Sequence, residues 1–385
     1  MVYAKSVDSE SYAQVLAMCN VEQLKNSRIR MMPDMHASEG CTVGTSLTVT
    51  EDGINPSYVG SDIGCGMQVY CLAQESLELP RLDECIRTHV PSGAKLHERA
   101  VGALKQVPLN KLHCFGALRT DTVKRAFGTL GGGNHFIEVD RGVNGQLYLV
   151  IHSGSRRLGK DVALYYQKAA YFAAHGIDPH EGFRKRMRLS DVKSRVHPNA
   201  CFLTGEYAER YLHDMDIALQ YAEQSRNYMG ECLIAALGLQ VTDSFTTVHN
   251  YVDSKERVLR KGAVSAKLGE TLIIPINMRD GSLICKGKSN PEWNCTAPHG
   301  AGRLMKRSDA KASISLEEYR EAMKGIYSTS VNESTIDESP MAYRSIEDIL
   351  DVIDPTVEIV DMASPIYNFK ACKPAPDEDC EDGTD

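Results

Sequence analysis

The chain contains no run of eighteen apolar residues, which removes the simplest helical membrane anchor. Its opening MVYAKSVDSE also lacks the basic and hydrophobic stretches of a secretion signal. A cytoplasmic location with no membrane partner is therefore expected. No Cys-x-x-Cys pair occurs, and the twelve cysteines are dispersed over 385 residues, so a dense disulfide framework is excluded. Positive charge is in short supply: 43 lysines and arginines against 51 acids leave a net charge of −8. That balance argues against holding nucleic acid through bulk charge. Common nucleotide signatures are missing as well. Gly287-Lys288-Ser289 resembles the end of a P-loop, but the glycine it requires would be residue 282, which is serine. No Lys-x-Asp-Gly stretch offers a lysine nucleophile of the kind used by many nucleotidyl-transferring ligases.

What is present is ordinary globular material, 42% hydrophobic and 24% charged, enough for a sizeable core. Short β-favouring runs alternate with glycine-rich turns over about 28–72 and 127–159, and strand text returns at 245–300. Between them, about 160–240, apolar residues recur every three or four positions, the period of amphipathic helices. No internal repeat is visible. The order predicts a mixed α/β (α+β) fold in which central β-sheets or a sandwich are flanked by helices. It forms a single compact unit over 1–371 with a helical insertion at about 160–240. The tail 372–385 carries six acids and one lysine and reads as disordered. Local basic stretches lie at 183–195, 155–160 and 303–307, and 183–195 is the first choice for an RNA-contacting patch.

Five scattered segments concentrate metal-binding and phosphate-handling chemistry in glycine-rich settings: SDIGCGM (61–67), GGGNHFIEV (131–139), IHSGSRRLG (151–159), VHNY (248–251) and APHGAGR (297–303). They supply Asp62, Cys65, His135, His152, His249 and His299. A carboxylate, a thiolate and several imidazoles make a transition-metal site, and no fragment holds enough of them alone. Asp62 and Cys65 share a loop kept tight by Gly60, Gly64 and Gly66, and either both reach one ion or the thiolate bridges two. Each histidine alone is more often a satisfied structural residue. Three beside turn chemistry at strand ends point to one shared site, because strand ends on one edge converge. His299 stands apart, in small-residue surroundings with Arg303 nearby to pair with phosphate. It is either a further ligand or a nucleophile that attacks phosphorus.

Taken together, these segments resemble the RtcB-type RNA ligases. The resemblance runs from MPDMHASEGCTVGTS (32–46) through DIGCGM, GTLGGGNHFIEV, HSGSR, HNYV, RKGAVSA (260–266), GKSNPEWNCTAPHGAGR and ESPMAYRSI (338–346) to Lys370. It implies an enzyme for RNA repair or tRNA processing that joins RNA 2′,3′-cyclic phosphate or 3′-phosphate ends to 5′-hydroxyl ends. GTP would be the co-substrate and two manganese ions (Mn2+) the cofactor. Asp62, Cys65, His135, His152 and His249 become the metal ligands, with the thiolate bridging, and His299 becomes the residue that receives GMP. Asn134, Glu138, Arg156, Ser282, Arg303 and Lys370, with Gly300, Ala301 and Gly302, match positions around the nucleotide and its phosphates. A helper protein for turnover is a possible partner.

The chain also departs from the family. Ile276-Asn277-Met278-Arg279 replaces a Gly-Ser-Met-Gly stretch, the early motif reads PDMHASEGC, and the acidic tail extends past Lys370. These changes point to a specialised bacterial paralog with altered guanine selectivity or RNA choice. A metal-dependent phosphoesterase that opens cyclic phosphates without sealing is the alternative activity. An RNA-binding factor retaining the site for structure alone would have lost a ligand or His299, and neither is lost.

Overall fold

A computed structural model describes residues 1–192 and 196–371. Thirteen strands build three sheets among these residues. A four-stranded antiparallel sheet joins β1 (Ile29–His36), β2 (Val43–Thr48), β8 (Val258–Lys261) and β7 (Asn250–Asp253) in that order. A two-stranded ribbon pairs β9 (Ala263–Ser265) with β12 (Thr296–Pro298). The largest sheet has seven antiparallel strands. Its order is β10 (Thr271–Asn277), β11 (Gly281–Gly287), β13 (Val357–Lys370), β4 (Phe136–Arg141), β5 (Leu147–Ser153), β3 (Gly66–Leu72) and β6 (Val241–Val248).

This sheet curls until its two edge strands, β10 and β6, touch. The 14-residue β13 makes the curl possible. Its first half pairs with β11 and its second with β4, and the register breaks between Pro365 and Tyr367, where a bulge bends the strand. Side-chain alternation then sorts the sheet into two faces. On β5, Leu147, Leu149 and Ile151 pack outward on the helices through Leu82, Ile86, Met229 and Leu233. Tyr148 and Val150 point inward and meet Met67, Val69, Ile273 and Ile284 from strands across the curl. His152 continues that inner row.

The helical stretch predicted at about 160–240 contains helices Arg156–Ala174, Pro179–Arg184 and Gly205–Leu237. The last runs for 33 residues and ends at Gly238, whose left-handed backbone closes it. Its buried face, with Tyr211, Met215, Ala218, Tyr221, Ala222, Met229 and Leu233, lies along the outside of the curled sheet and in a second core with helix Arg156–Ala174. A mixed fold with central sheets flanked by helices thus agrees with the sequence expectation. The expected disordered tail, 372–385, lies outside the described residues, as does the end of the basic segment 183–195. Among the described residues the cysteines are free thiols, most of them buried. No described helix is long and apolar enough to cross a membrane.

Candidate functional site

Antiparallel order brings the scattered segments together. Along β4, β5, β3 and β6, one edge of the sheet presents the start of β4, the end of β5, the start of β3 and the end of β6. His135 immediately precedes β4, His152 is the penultimate residue of β5, Cys65 precedes β3 and His249 follows β6. Four donors separated by up to 184 positions therefore share one rim. The Asp62–Cys65 turn closes with the Cys65 N–H donating to the Asp62 carbonyl at 3.1 Å. Gly64 supplies the left-handed φ of +74° that this turn needs, and its N–H donates to the Asn250 carbonyl at 2.8 Å. Gly154 allows close approach, since a Cβ there would lie 2.0 Å from Asp62 Oδ1.

The donor atoms converge. Cys65 Sγ lies 3.2 Å from His152 Nε2 and 3.5 Å from His135 Nε2. His135 Nε2 is 3.1 Å from Asp62 Oδ2, and the Nε2 atoms of His152 and His249 are 3.3 Å apart. Two triads result, Cys65–His152–His249 and Asp62–Cys65–His135, each with its donor atoms within 4.8 Å of one another and both containing Cys65. Carbonyls orient two of the rings: His135 Nδ1 meets Leu130 O at 2.9 Å and His152 Nδ1 meets Asn134 O at 3.2 Å. Both Nε2 atoms are thereby aimed into the cluster.

Electrostatics agree with a cation site. Burial, and then the neighbouring imidazoles, push His152 and His249 well below the ordinary histidine range, so both rings are neutral donors. Burial alone would raise Asp62, but the His135 hydrogen bond and charge outweigh it and hold the carboxyl far below its usual range. Burial and then the Asp62 charge push the Cys65 thiol well up. A fully buried Arg226 stands behind the cluster, its Nη1 donating at 2.8 Å both to Gly64 O and to Ser153 O. Burial lowers its pKa only to about 10, so it remains a cation at neutral pH. Neutral imidazoles, a carboxylate and a thiol at ligand-to-ligand spacing fit a transition-metal ion, and the shared sulfur fits a bridging position.

The rim opens into a cleft of about 1330 Å³ lined by Asp62, Cys65, His152, His249 and His299. His299 follows the short strand β12 and lies against His249, the two rings tilted at 56° with centroids 4.7 Å apart. Its Nδ1 is 2.7 Å from Asp34 Oδ2, and the same oxygen accepts the His299 backbone N–H at 3.1 Å. A ring that donates from Nδ1 to a carboxylate keeps a lone pair on Nε2. His299 is thus held beside His249 but outside both triads.

The other expected site residues divide into those on the cleft wall and those behind it. Asn134, Glu138, Gly300, Ala301, Gly302, Arg303 and Lys370 line the cleft. Glu138 accepts from Asn368, and burial raises its carboxyl. Lys370 Nζ donates to Glu338 at 3.0 Å. Arg303 donates to Glu338 at 3.3 Å, to the Tyr343 hydroxyl at 3.0 Å and to the Asp337 carbonyl. Arg156 lies outside the lining, with Nη1 3.4 Å from His135 Nδ1. Ser282 is buried under the floor on β11. Arg279 is also outside the lining, its guanidinium paired with Asp280 at 2.7 Å, whereas Ile276, Asn277 and Met278 do form the wall. In the basic segment at 183–195, Lys185, Arg184 and Arg188 pair with Glu181 and Asp191, and no described residue of it lines the cleft.

Sequence reasoning missed Asp34, Arg226, Glu338 and Asn368. Asp34 and Glu338 sit inside segments already singled out, Met32–Ser46 and 338–346, but a carboxylate in a motif does not reveal which distant side chain it will meet. Arg226 carried no signal beyond a cation on the apolar side of a helical period.

A family model described as tRNA-splicing ligase RtcB matches residues 14–117 and 115–371. The RNA-splicing ligase RtcB of Escherichia coli strain K12 is 33% identical over 375 residues, covering 86% of this chain and 87% of that protein. The tRNA-splicing ligase RtcB of Aeropyrum pernix is 28% identical over 406 residues, covering 84% and 83%. The RNA-splicing ligase RtcB of Mycobacterium bovis is 26% identical over 407 residues, covering 83% and 91%.

Proposed function

The chain belongs to the RtcB family, and from that membership and the geometry of the cleft we propose that it is an RNA ligase of repair or splicing that works through His299. It joins a 2′,3′-cyclic phosphate or 3′-phosphate end to a 5′-hydroxyl end, with GTP as co-substrate. The observation that carries this reading is the position of His299: on the cleft wall, outside the two donor triads but beside His249 of one of them, with its Nδ1 2.7 Å from Asp34 Oδ2.

Asp62, Cys65, His135, His152 and His249 would hold two ions, manganese in the family pattern, with Cys65 common to both donor triads. When bound, such ions supply Lewis acidity at phosphoryl oxygens and align attacking and leaving groups. The chain's own residues do the rest. His299 Nε2 attacks the α-phosphorus of GTP, pyrophosphate leaves, and the Asp34 carboxylate stabilises the charge that grows on the imidazole. After water has opened any cyclic end, the RNA 3′-phosphate displaces the imidazole from GMP, giving an RNA-(3′)pp(5′)G end. The 5′-hydroxyl then attacks the 3′-phosphate and GMP departs. Glu138, Asn134 and Lys370 lie on the wall where they would position the nucleotide. Arg303, Lys370 and Arg307 form a cationic wall for phosphates, and Arg156 and Ser282 would act from behind it. Ile276–Met278 on the wall supports an altered nucleotide pocket, as expected for a specialised paralog, through those side chains rather than through Arg279.

Incubation with α-labelled GTP and manganese, followed by denaturing electrophoresis, tests the reading. Label should remain on the wild-type protein and be absent from His299→Ala. Persistent label in the variant refutes His299 as the acceptor. Absence of label from the wild type, with cyclic ends still opened, favours the phosphoesterase.

A further inference from the structure

A second cluster of ligand-type side chains lies outside the cleft. His113, in the irregular segment after the short helical turn Leu109–Lys111, and His213, on helix Gly205–Leu237, are exposed, and between them stands Asp214, fully buried. The two imidazoles have centroids 4.8 Å apart at an interplanar angle of 63°, so their edges meet instead of stacking face to face. One ligand atom from each of His113, His213 and Asp214 lies within 4.8 Å of the others.

The Asp214 carboxylate organises the cluster. Its Oδ1 accepts the His113 backbone N–H at 2.8 Å and lies 3.1 Å from His213 Nδ1. Its Oδ2 accepts the Cys114 N–H at 3.0 Å and the Tyr166 hydroxyl at 2.8 Å. A buried carboxylate is ordinarily balanced by a fixed cation. Among the described residues Asp214 forms no ion pair with lysine or arginine, and the basic side chains beside it are the imidazoles of His213 and His113. His213 Nδ1 and Asp214 Oδ1, 3.1 Å apart, stand at the spacing of two ligands on one ion, and a proton shared between them in the free chain is the one a metal would displace. His113 is fixed at its backbone by the same oxygen, which places its ring beside that of His213.

We infer that His113, His213 and Asp214 form a second, peripheral site for a divalent transition-metal ion of the zinc class. Two imidazoles favour zinc, nickel or copper over magnesium or manganese, and the ion would carry the positive charge that Asp214 otherwise lacks. The site joins the 109–118 segment to the long helix, twelve positions before Arg226 on the same helix, about 18 Å along its axis. Its role would be to clamp that segment, independent of the chemistry in the cleft.

The test is zinc binding to metal-free full-length protein, compared with the double variant His113→Gln/His213→Gln, which keeps both backbone donors to Asp214. Wild type should retain one more zinc equivalent per chain than the variant and show a zinc-induced rise in Tm that the variant lacks. Manganese at the same concentration should give neither difference, and manganese-dependent RNA joining should be equal in the two proteins. Equal zinc stoichiometry overturns the inference. A second measurement needs no variant: zinc should protect both rings of the wild-type protein from diethylpyrocarbonate, read by peptide mass spectrometry. Equal modification with and without zinc also overturns it.

Discussion

In the proposed reaction, the pairing of His299 with Asp34 is the residue-scale feature on which the chemistry turns. An imidazole nucleophile must present an unprotonated nitrogen, and the Asp34 carboxylate at 2.7 Å selects the tautomer that does so. Asp34→Asn keeps the shape but permits the opposite hydrogen-bond polarity. Formation of the labelled protein in a single turnover should slow by roughly 10²–10⁴-fold, the range by which an oriented proton-transfer partner contributes. Metal content should be unchanged. An unaltered labelling rate would show that Asp34 has no part in orienting the ring. The candidate ligands and His299 stood out at this scale because glycine-rich settings mark them in the chain. Asp34 was not, because its role exists only across the 265 positions that separate it from His299.

At the scale of elements, the long helix and the curled sheet depend on each other at Arg226. One guanidinium nitrogen satisfies two carbonyls, one in the Asp62–Cys65 loop and one at the end of β5, so the helix braces two of the segments that carry ligands. Arg226→Met removes both bonds and leaves the carbonyls buried without donors, each worth about 1–3 kcal/mol. Urea unfolding should show a loss of roughly 2–5 kcal/mol, and metal affinity should fall by about 10–100-fold, as when other outer supports of ligands are removed. Wild-type affinity in a folded variant would mean that the loops hold their geometry unaided. Strand and helix text was readable here from period, since alternation and the three-to-four spacing are local. The bulge at Pro365–Tyr367 that bends β13 was not, because a bulge is defined by register against a partner strand.

For the whole molecule, Glu338 ties the C-terminal part to the cleft. Its carboxylate meets Lys370 at 3.0 Å, Arg303 at 3.3 Å, Arg307 and the Tyr343 hydroxyl at 2.8 Å. Burial alone would raise its pKa, but Lys370, Arg307 and Arg303 outweigh burial and hold it at about 2. A depressed carboxyl contributes stability that is present above its unfolded pKa, near 4.5, and is lost as pH falls through its folded value. Wild type should therefore lose stability between about pH 5 and 2 more steeply than Glu338→Gln. At neutral pH the variant should be less stable by about 3 kcal/mol. Parallel stability curves for the two proteins over that range would remove Glu338 from the acid response.

By itself the chain determined the mixed fold class and the helical middle and marked six candidate site residues, because periodicity, glycine turns and donor-rich segments are properties of neighbouring residues, while their division into expected ligands and an expected nucleophile came from the resemblance to the RtcB family. Only the tertiary structure decided which of those donors come together. Antiparallel pairing placed the start of β4, the end of β5, the start of β3 and the end of β6 on one rim, and put Cys65 in both triads. It also turned Arg279 out of the cleft, placed Arg156 and Ser282 behind its wall, and brought Asp34, Arg226 and Glu338 into supporting positions. Such contacts form across tens to hundreds of residues, and their energy depends on burial and on partners that no local pattern records.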